Sequence, residues 1–151
     1  KNMRETITKA LRDAQKSQDR ERTSTLRMVN AAIQDRDIAN RGTGKDAAGN
    51  DEVLQILTKL VKQREESAKA YEEGGRAELA AKERSEIAII REFLPRQMDE
   101  AETRKVIADA VAETGAASIK DMGTVMAILK ERYTGQIDFS KASGIIKEAL
   151  S

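Results

Sequence analysis

The sequence contains no cysteine and no histidine among its 151 residues. Without cysteine there can be no disulfide, no thiolate nucleophile and no zinc ribbon. Without histidine the chain also lacks the commonest general base and the commonest metal ligand in proteins. These two absences exclude the best-known designs for nucleophilic and metal-assisted catalysis.

Aromatic residues are scarce as well, at 3 % of the chain with no tryptophan, whereas hydrophobic residues make up 39 %. The core must therefore consist of Ala, Ile, Leu, Val and Met, a set that favours helix packing over a β-sandwich. Basic and acidic residues nearly cancel, with 27 Lys and Arg against 26 Asp and Glu. Because the net charge is only +1, affinity for nucleic acid would require a local basic patch.

Long apolar runs are also missing. No stretch approaches the roughly 20 apolar residues that a membrane-spanning helix needs. The first residues lack the apolar segment of a signal peptide. We therefore expect a soluble, cytoplasmic protein that has no membrane partner.

Apolar residues recur at helical spacing along nearly the whole chain, and nowhere do they alternate as in a strand. The pattern predicts an all-α fold with about seven helices. The fourth helix is expected to carry Leu79, Ile87, Ile90 and Leu94 on its buried face and to stop at Pro95, the single proline. Residues 41–50 contain three glycines and are predicted to form a mobile loop.

Two capping boxes are expected after the proline, one from Asp99 and Glu102 and one from Ser118 and Asp121. Helices before Pro95 are predicted to be long and rich in charge, and those after it short and separated by single glycines. We interpret this shift as a long-helix N-terminal domain over residues 1–94 and a small three-helix C-terminal domain over residues 98–151. A single continuous bundle is the alternative.

Charged residues four apart, such as Glu65 with Lys69 and Glu72 with Arg76, predict ion pairs along an exposed helix face. A carboxylate-only metal site among Glu72, Glu73 and Glu83 is the functional alternative. Metal sites in helix bundles usually add a Glu-x-x-His pair, which this sequence cannot supply. We therefore expect no metal and no cofactor.

The polar residues form no pattern typical of an independent enzyme. The serines show neither a Gly-x-Ser-x-Gly elbow nor a Ser-x-x-Lys arrangement. No glycine-rich loop ends in the Gly-Lys-Ser/Thr of a phosphate-binding loop. The sequence thus predicts no catalytic residue and no catalysis by this chain alone.

Residues 118–150 place glycines and lysines as on a binding surface. Gly123 and Gly135 each allow a structural interpretation or close approach of a sugar–phosphate backbone. The structural interpretation is close helix packing or a kink between two short helices at Gly123, and a turn of positive φ at Gly135. Five cations surround them, against four acids in the same stretch, so that any patch is modest. The cations are Lys120, Lys130, Arg132, Lys141 and Lys147, and the acids are Asp121, Glu131, Asp138 and Glu148.

This stretch also resembles a known family. It contains Lys-Asp-Met-Gly-x-Val-Met from Lys120, Gly-x-x-Asp from Gly135 and a terminal Ile-Ile-Lys-x-x-Leu. These motifs resemble the tail domain of the B subunit of the glutamine-dependent tRNA amidotransferase and the stand-alone YqeY-like family. Further similarity lies in Ser-Thr-Leu-Arg-Met from Ser24, in Tyr-Glu-x-Gly-Gly-Arg from Tyr71 and in Phe-Leu-Pro-x-Gln from Phe93, so that it covers essentially the whole chain.

The resemblance implies a link to tRNA and to glutamine-dependent carbon–nitrogen ligation. In the amidotransferase, the corresponding tail helps to hold the tRNA while other domains perform the chemistry. The implied partners are tRNA and an amidotransferase or an aminoacyl-tRNA synthetase. The implied tRNA contacts are Lys120, Gly123, Lys130, Gly135 and Lys141.

The main hypothesis is therefore a tRNA-interacting accessory protein without its own catalytic centre. The alternative is a helical adaptor that binds a protein and no RNA. A third interpretation makes the chain a component of a carbon–nitrogen ligase complex.

Overall fold

The computed structural model describes residues 2–151 and confirms the all-α prediction. Seven α-helices and one short 3₁₀ turn occur in this part of the chain, and no strand does. The helices are α1 (Met3–Lys16), α2 (Arg20–Gly42), α3 (Asn50–Glu73), α4 (Ala77–Arg91), α5 (Glu100–Thr114), α6 (Met122–Tyr133) and α7 (Phe139–Leu150), with the 3₁₀ turn at Ile119–Asp121 before α6.

The helices fall into two compact units, Lys1–Leu94 and Pro95–Ser151. The first contains α1 to α4, and its longest helices, α2 and α3, have 23 and 24 residues. Its core is built from branched aliphatic side chains: Ile7, Leu26, Val29, Ile33, Val53, Ile56, Leu57, Val61, Ile87 and Ile90. That each unit folds independently as a domain stays a prediction.

The second unit contains α5, α6 and α7 around its own aliphatic core. The buried members of this core are Ile107, Ala110, Val125, Leu129, Ile137, Ala142, Ile146 and Leu150. The chain leading into α5 is held by backbone pairing within the unit, since Met98 N–H donates to the Gln136 carbonyl at 2.9 Å. Because α5, α6 and α7 turn their apolar faces toward this shared core, their polar faces lie outward.

Both predicted capping boxes are present. The Asp99 carboxylate accepts the Glu102 N–H at 2.8 Å, and the Glu102 carboxylate accepts the Asp99 N–H at 3.3 Å. The box formed by Ser118 and Asp121 opens the 3₁₀ turn, and α6 begins only at Met122. Side-chain caps satisfy amides that the first helical turn leaves without a partner.

The Glu102 carboxylate also gives a prediction about acid stability. The hydrogen bond from Arg96, followed by that from the Asp99 amide, lowers its pKa from 4.5 to about 2. A lowered folded-state pKa adds stability above the unfolded-state value, and this stability is lost as the pH falls through the folded-state value. Thermal unfolding of the wild type should therefore lose more stability between about pH 4.5 and about pH 2 than that of Glu102→Gln. Parallel pH profiles would contradict this assignment.

Helix α4 departs from the prediction in the residue at which it ends and in the burial of Leu79. It ends at Arg91 and not at Leu94. The N–H groups of Phe93 and Leu94 instead donate to carbonyls three residues back, at 3.1 Å each, so the chain tightens into turns before Pro95. Leu79, expected on the buried face, is 40 % exposed.

Two of the predicted ion pairs along α3, Glu65 with Lys69 and Glu72 with Arg76, are replaced by pairs between helices. Glu72 pairs with Arg84 of α4 at 2.5 Å, and Glu65 pairs with Arg91. Arg64 lies 3.6 Å from Glu86, also on α4, and both side chains are largely buried. Because later residues of α3 meet earlier residues of α4, the two helices run antiparallel and their charges join them.

The connection between α2 and α3 is anchored and is not the free loop that its glycines suggested. The Asn40 side chain donates to the Asp46 carbonyl at 3.0 Å, and the Ala48 N–H donates to Asp37 at 2.8 Å. Ala48 itself is only 3 % exposed. Arg4 of α1 pairs with Asp37 at 2.6 Å, and this bond lowers the pKa of the Asp37 carboxyl. The segment is thus fixed at both ends by buried or half-buried groups.

Candidate nucleic-acid interface

Three of the predicted contact residues follow one another along the 3₁₀ turn and α6. Lys120 lies in the turn, Gly123 in the first turn of α6 and Lys130 in its last turn, and all three are exposed. Gly123 and Lys130 are seven residues apart, which is close to two helical turns, so they share one face. Val125 and Leu129 occupy the opposite face and are buried in the core.

Gly123 has open space around it. A methyl group built at this position meets no atom within 4 Å outside its chain neighbours and the backbone of its own helix. The interpretation that this glycine permits close packing of two helices is therefore wrong, whereas a kink between two short helices stays a prediction. What the missing side chain does provide is uncovered main chain on the face that carries Lys130.

Gly135 has a different role, because its conformation explains it. Its φ is +86°, in the left-handed region, and the residue is buried in the turn between α6 and α7. The Gln97 side chain donates to its carbonyl at 2.5 Å. A turn of positive φ favours glycine, which confirms the structural interpretation. The predicted tRNA contact at Gly135 stays a prediction and would have to reach a buried residue.

Lys141 lies in the first turn of α7 and is exposed. Its N–H donates to the Asp138 carboxylate, which caps the helix and also accepts the Ser140 N–H at 2.9 Å. The Lys141 ammonium therefore belongs to a different helix from the face that carries Gly123 and Lys130.

In the second unit, arginines and lysines differ in whether they form ion pairs. All three arginines form ion pairs with glutamates: Arg96 with Glu102, Arg104 with Glu100 and Glu148, and Arg132 with Glu113. Arg132, which the sequence placed in the patch, is bound through both of its terminal nitrogens at 2.7 Å each. The same bond lowers the pKa of the Glu113 carboxyl. Each of these guanidinium groups therefore already has a carboxylate partner.

Over residues 2–151, the lysines of this unit, in contrast to its arginines, have no carboxylate partner. Within the part of the chain that the structure describes, none of them forms an ion pair, and all are exposed: Lys105, Lys120, Lys130, Lys141 and Lys147.

The carboxylates of the unit are mostly committed to other groups. Four of them pair with the arginines, and Asp99, Asp121 and Asp138 accept backbone amides as caps. The hydrogen bonds from the backbone N–H groups of Ala117 and Ser118 lower the pKa of the Asp121 carboxyl. Among described residues, only Asp109 and Glu131 are left outside these bonds. The lysines are thus the charges that the second unit can offer to an anion.

Lys105 was missed by sequence reasoning, and Lys147 was counted as a nearby cation without being assigned a contact. Helical spacing would have paired Lys105 with Asp109, four residues on, so no signal marked Lys105 as unpaired. Two of the arginine partners, Glu113 and Glu148, were equally hidden, because they lie on other helices than the arginines they bind.

The acidic residues proposed as a metal-site alternative are not arranged as one. In residues 2–151 no group of three or more Asp or Glu side chains is placed to hold a metal ion. Glu72 instead binds Arg84. No helix in the same residues is long and apolar enough to cross a membrane.

Comparison with known proteins places the chain in a family. The model of the YqeY-like protein family matches residues 4–150. An uncharacterized protein of Schizosaccharomyces pombe is 33 % identical over 94 residues, which cover 62 % of this chain and 73 % of that protein. Because the family match extends over both units, the chain belongs to the YqeY-like family.

Proposed function

We propose that this chain is a tRNA-binding accessory protein related to the glutamine-dependent tRNA amidotransferase, without a catalytic centre of its own. The observation that carries the proposal is the division of charge in the second unit, where arginines are paired and lysines are not. The proposed protein partners are an amidotransferase or an aminoacyl-tRNA synthetase. In either complex, the partner would supply the carbon–nitrogen bond-forming chemistry.

Unpaired lysines suit the phosphates of an RNA backbone. A lysine ammonium is a compact point charge on a flexible stem, so it can follow a phosphate without a fixed geometry. Base stacking is a poorer fit, since Tyr133 and Phe139 are half-buried and pack against the core. Contacts to phosphate and to RNA shape are therefore the proposed mode.

The open space at Gly123 supports the same proposal. On the exposed face of α6, a glycine leaves the main chain accessible where a larger side chain would cover it. Lys130 lies on this face, and Lys120 lies in the 3₁₀ turn that precedes α6. Together they provide two cations beside uncovered backbone, which suits close approach of a sugar–phosphate chain.

The test is a titration of the full chain with unfractionated tRNA at several salt concentrations. Combining Lys120→Gln, Lys130→Gln and Lys141→Gln should weaken binding about tenfold or more. The salt dependence should become shallower by about one unit of slope per lost phosphate contact. Gly123→Glu should weaken binding as well, because it adds bulk and negative charge at the proposed contact.

The matched control removes the same charge from the first unit. Lys59, Lys69 and Lys82 are exposed, and no ion pair in the described residues involves them. Changing all three to Gln should leave tRNA affinity within about twofold of wild type, since net charge alone has little effect at physiological salt. Equal loss in both triple variants would show that binding follows net charge and not a site. Unchanged binding in the first triple variant would favour the adaptor function.

One observation favours that second candidate, a helical adaptor that binds a protein. Ile119, next to Lys120, is 54 % exposed, an unusual place for a large aliphatic side chain. Apolar side chains that stay in water are common at protein contacts, although single ones also occur without function. Ile119→Ser should leave tRNA binding unchanged under the main proposal.

A further inference from the structure

An open depression on the first unit is lined by polar side chains alone. It lies where α1 leads into α2 and has a volume of about 690 Å³, within the range of small-molecule sites. The lining residues are Gln15, Gln18, Arg20, Thr23, Ser24 and Arg27. The polar groups of this lining suit a charged or strongly hydrogen-bonding ligand.

Helix α2 brings its part of the lining to one face. Arg20, Ser24 and Arg27 stand at positions i, i+4 and i+7, which stack along a helix. The two arginines are separated by about 10 Å along the axis, at 1.5 Å per residue. Two long side chains at that spacing can reach a small group held between them. From the other side, Gln15 of α1 and Gln18 of the connecting turn add amide groups.

The two arginines are unpaired, unlike their neighbours on the same helix. Arg22 pairs with Glu92 at 2.7 Å and Arg36 with Glu52 at 3.3 Å. In the described residues, neither Arg20 nor Arg27 forms an ion pair or a side-chain hydrogen bond. Both side chains are exposed, and they bring two positive charges without an ion-pair partner to one depression.

The carboxylates nearest in sequence are engaged elsewhere. Asp19 caps α2 by accepting the Arg22 N–H at 3.1 Å. Glu21 accepts a hydrogen bond from the Ser85 hydroxyl of α4. Because Asp19 caps the first turn of α2, the positive charge of the depression is that of the Arg20 and Arg27 side chains and not that of the helix terminus.

We propose that this depression binds the phosphate group of a small phosphate monoester. Guanidinium groups bind phosphate oxygens through paired N–H donors, and the Ser24 and Thr23 hydroxyls and the glutamine amides can donate to further oxygens. Two unpaired arginines match a phosphate monoester, which carries close to two negative charges at neutral pH. A diester carries one. The proposal concerns the first unit and does not depend on tRNA binding by the second.

The test is a titration of the full chain with inorganic phosphate at constant ionic strength, followed by NMR chemical shifts. Saturable shifts are expected for amides from Gln15 to Arg27. Arg20→Gln and Arg27→Gln should each weaken binding about tenfold, in line with the loss of one charged hydrogen-bonding group. The matched control is Arg41→Gln, on the same helix about 21 Å from Arg27 along the axis, where the arginine is exposed and does not line the depression.

Titration with a second ligand, dimethyl phosphate, tests whether the depression prefers a phosphate monoester to a diester. Dimethyl phosphate keeps the tetrahedral phosphorus but has two methylated oxygens and a single negative charge, and it should bind at least about tenfold more weakly than inorganic phosphate. Equal binding of both ligands would overturn the assignment to a monoester. Absence of saturable shifts, or the same loss in Arg41→Gln as in Arg20→Gln, would overturn the site itself.

Discussion

Replacing Leu57 by Ala is expected to lower the free energy of unfolding of the first unit by about 2–5 kcal/mol. Leu57 is fully buried, at 0 % exposure, and lies on α3 within the aliphatic core of that unit. Truncation removes buried methyl groups and leaves a cavity that close-packed neighbours fill only in part. Chemical denaturation followed by circular dichroism would measure the change.

Leu79→Ala is the matched control, since it makes the same chemical change on α4 of the same unit. Leu79 is 40 % exposed, so the substitution forms no closed cavity and should cost less than about 1 kcal/mol. Equal destabilisation by the two substitutions would mean that Leu79 is buried in solution, as its sequence pattern suggested, and would contradict the packing described above.

The second large effect is expected at Gly135. Gly135→Ala should destabilise the second unit by about 1–2 kcal/mol, because a side chain disfavours the left-handed backbone. The observed φ of +86° lies in that region, and the buried turn cannot relax without moving the chain between α6 and α7. Thermal unfolding of the variant against wild type would show the loss.

Gly123→Ala is the internal comparison and should act in the opposite direction. Gly123 has helical backbone angles and open space around it, so alanine should stabilise α6 by up to about 1 kcal/mol. If both substitutions destabilise equally, the two glycines do not differ in the way their backbones indicate. A Gly123→Ala protein that is more stable but binds tRNA more weakly would separate the two roles of this position.

Much of the fold could be predicted because the helix signals are local. A capping residue and its partner three positions on, such as Asp99 and Glu102, determine a helix start from four consecutive residues. Helical periodicity likewise fixes which residues of α6 are buried, as Val125 and Leu129 show. Such signals need no knowledge of the rest of the chain.

Contacts between helices could not be predicted in the same way. Glu65 has Lys69 four positions on, yet its partner is Arg91 of α4. That pairing depends on the register between two antiparallel helices, and this register cannot be predicted from the spacing of residues along one helix. The end of α4 was misplaced for a related reason, since the turns before Pro95 begin several residues earlier than the proline itself requires.

The candidate site shows the same limit. The sequence named Lys120, Lys130 and Lys141, but it could not tell them from Arg132, which a glutamate on another helix neutralises. Counting charges gave a weak patch, because paired and unpaired cations counted alike. Only the three-dimensional arrangement separates the cations that form ion pairs from those that do not.

This separation also determines how a cell could modify the second unit. Acetylation removes the charge of a lysine and cannot occur on a guanidinium group. Acetylation of the exposed lysines would therefore lower the positive charge offered to a partner without breaking any of the arginine–glutamate bonds. Under the proposed function, acetylation of these lysines would therefore weaken tRNA binding while the arginine–glutamate pairs stay in place.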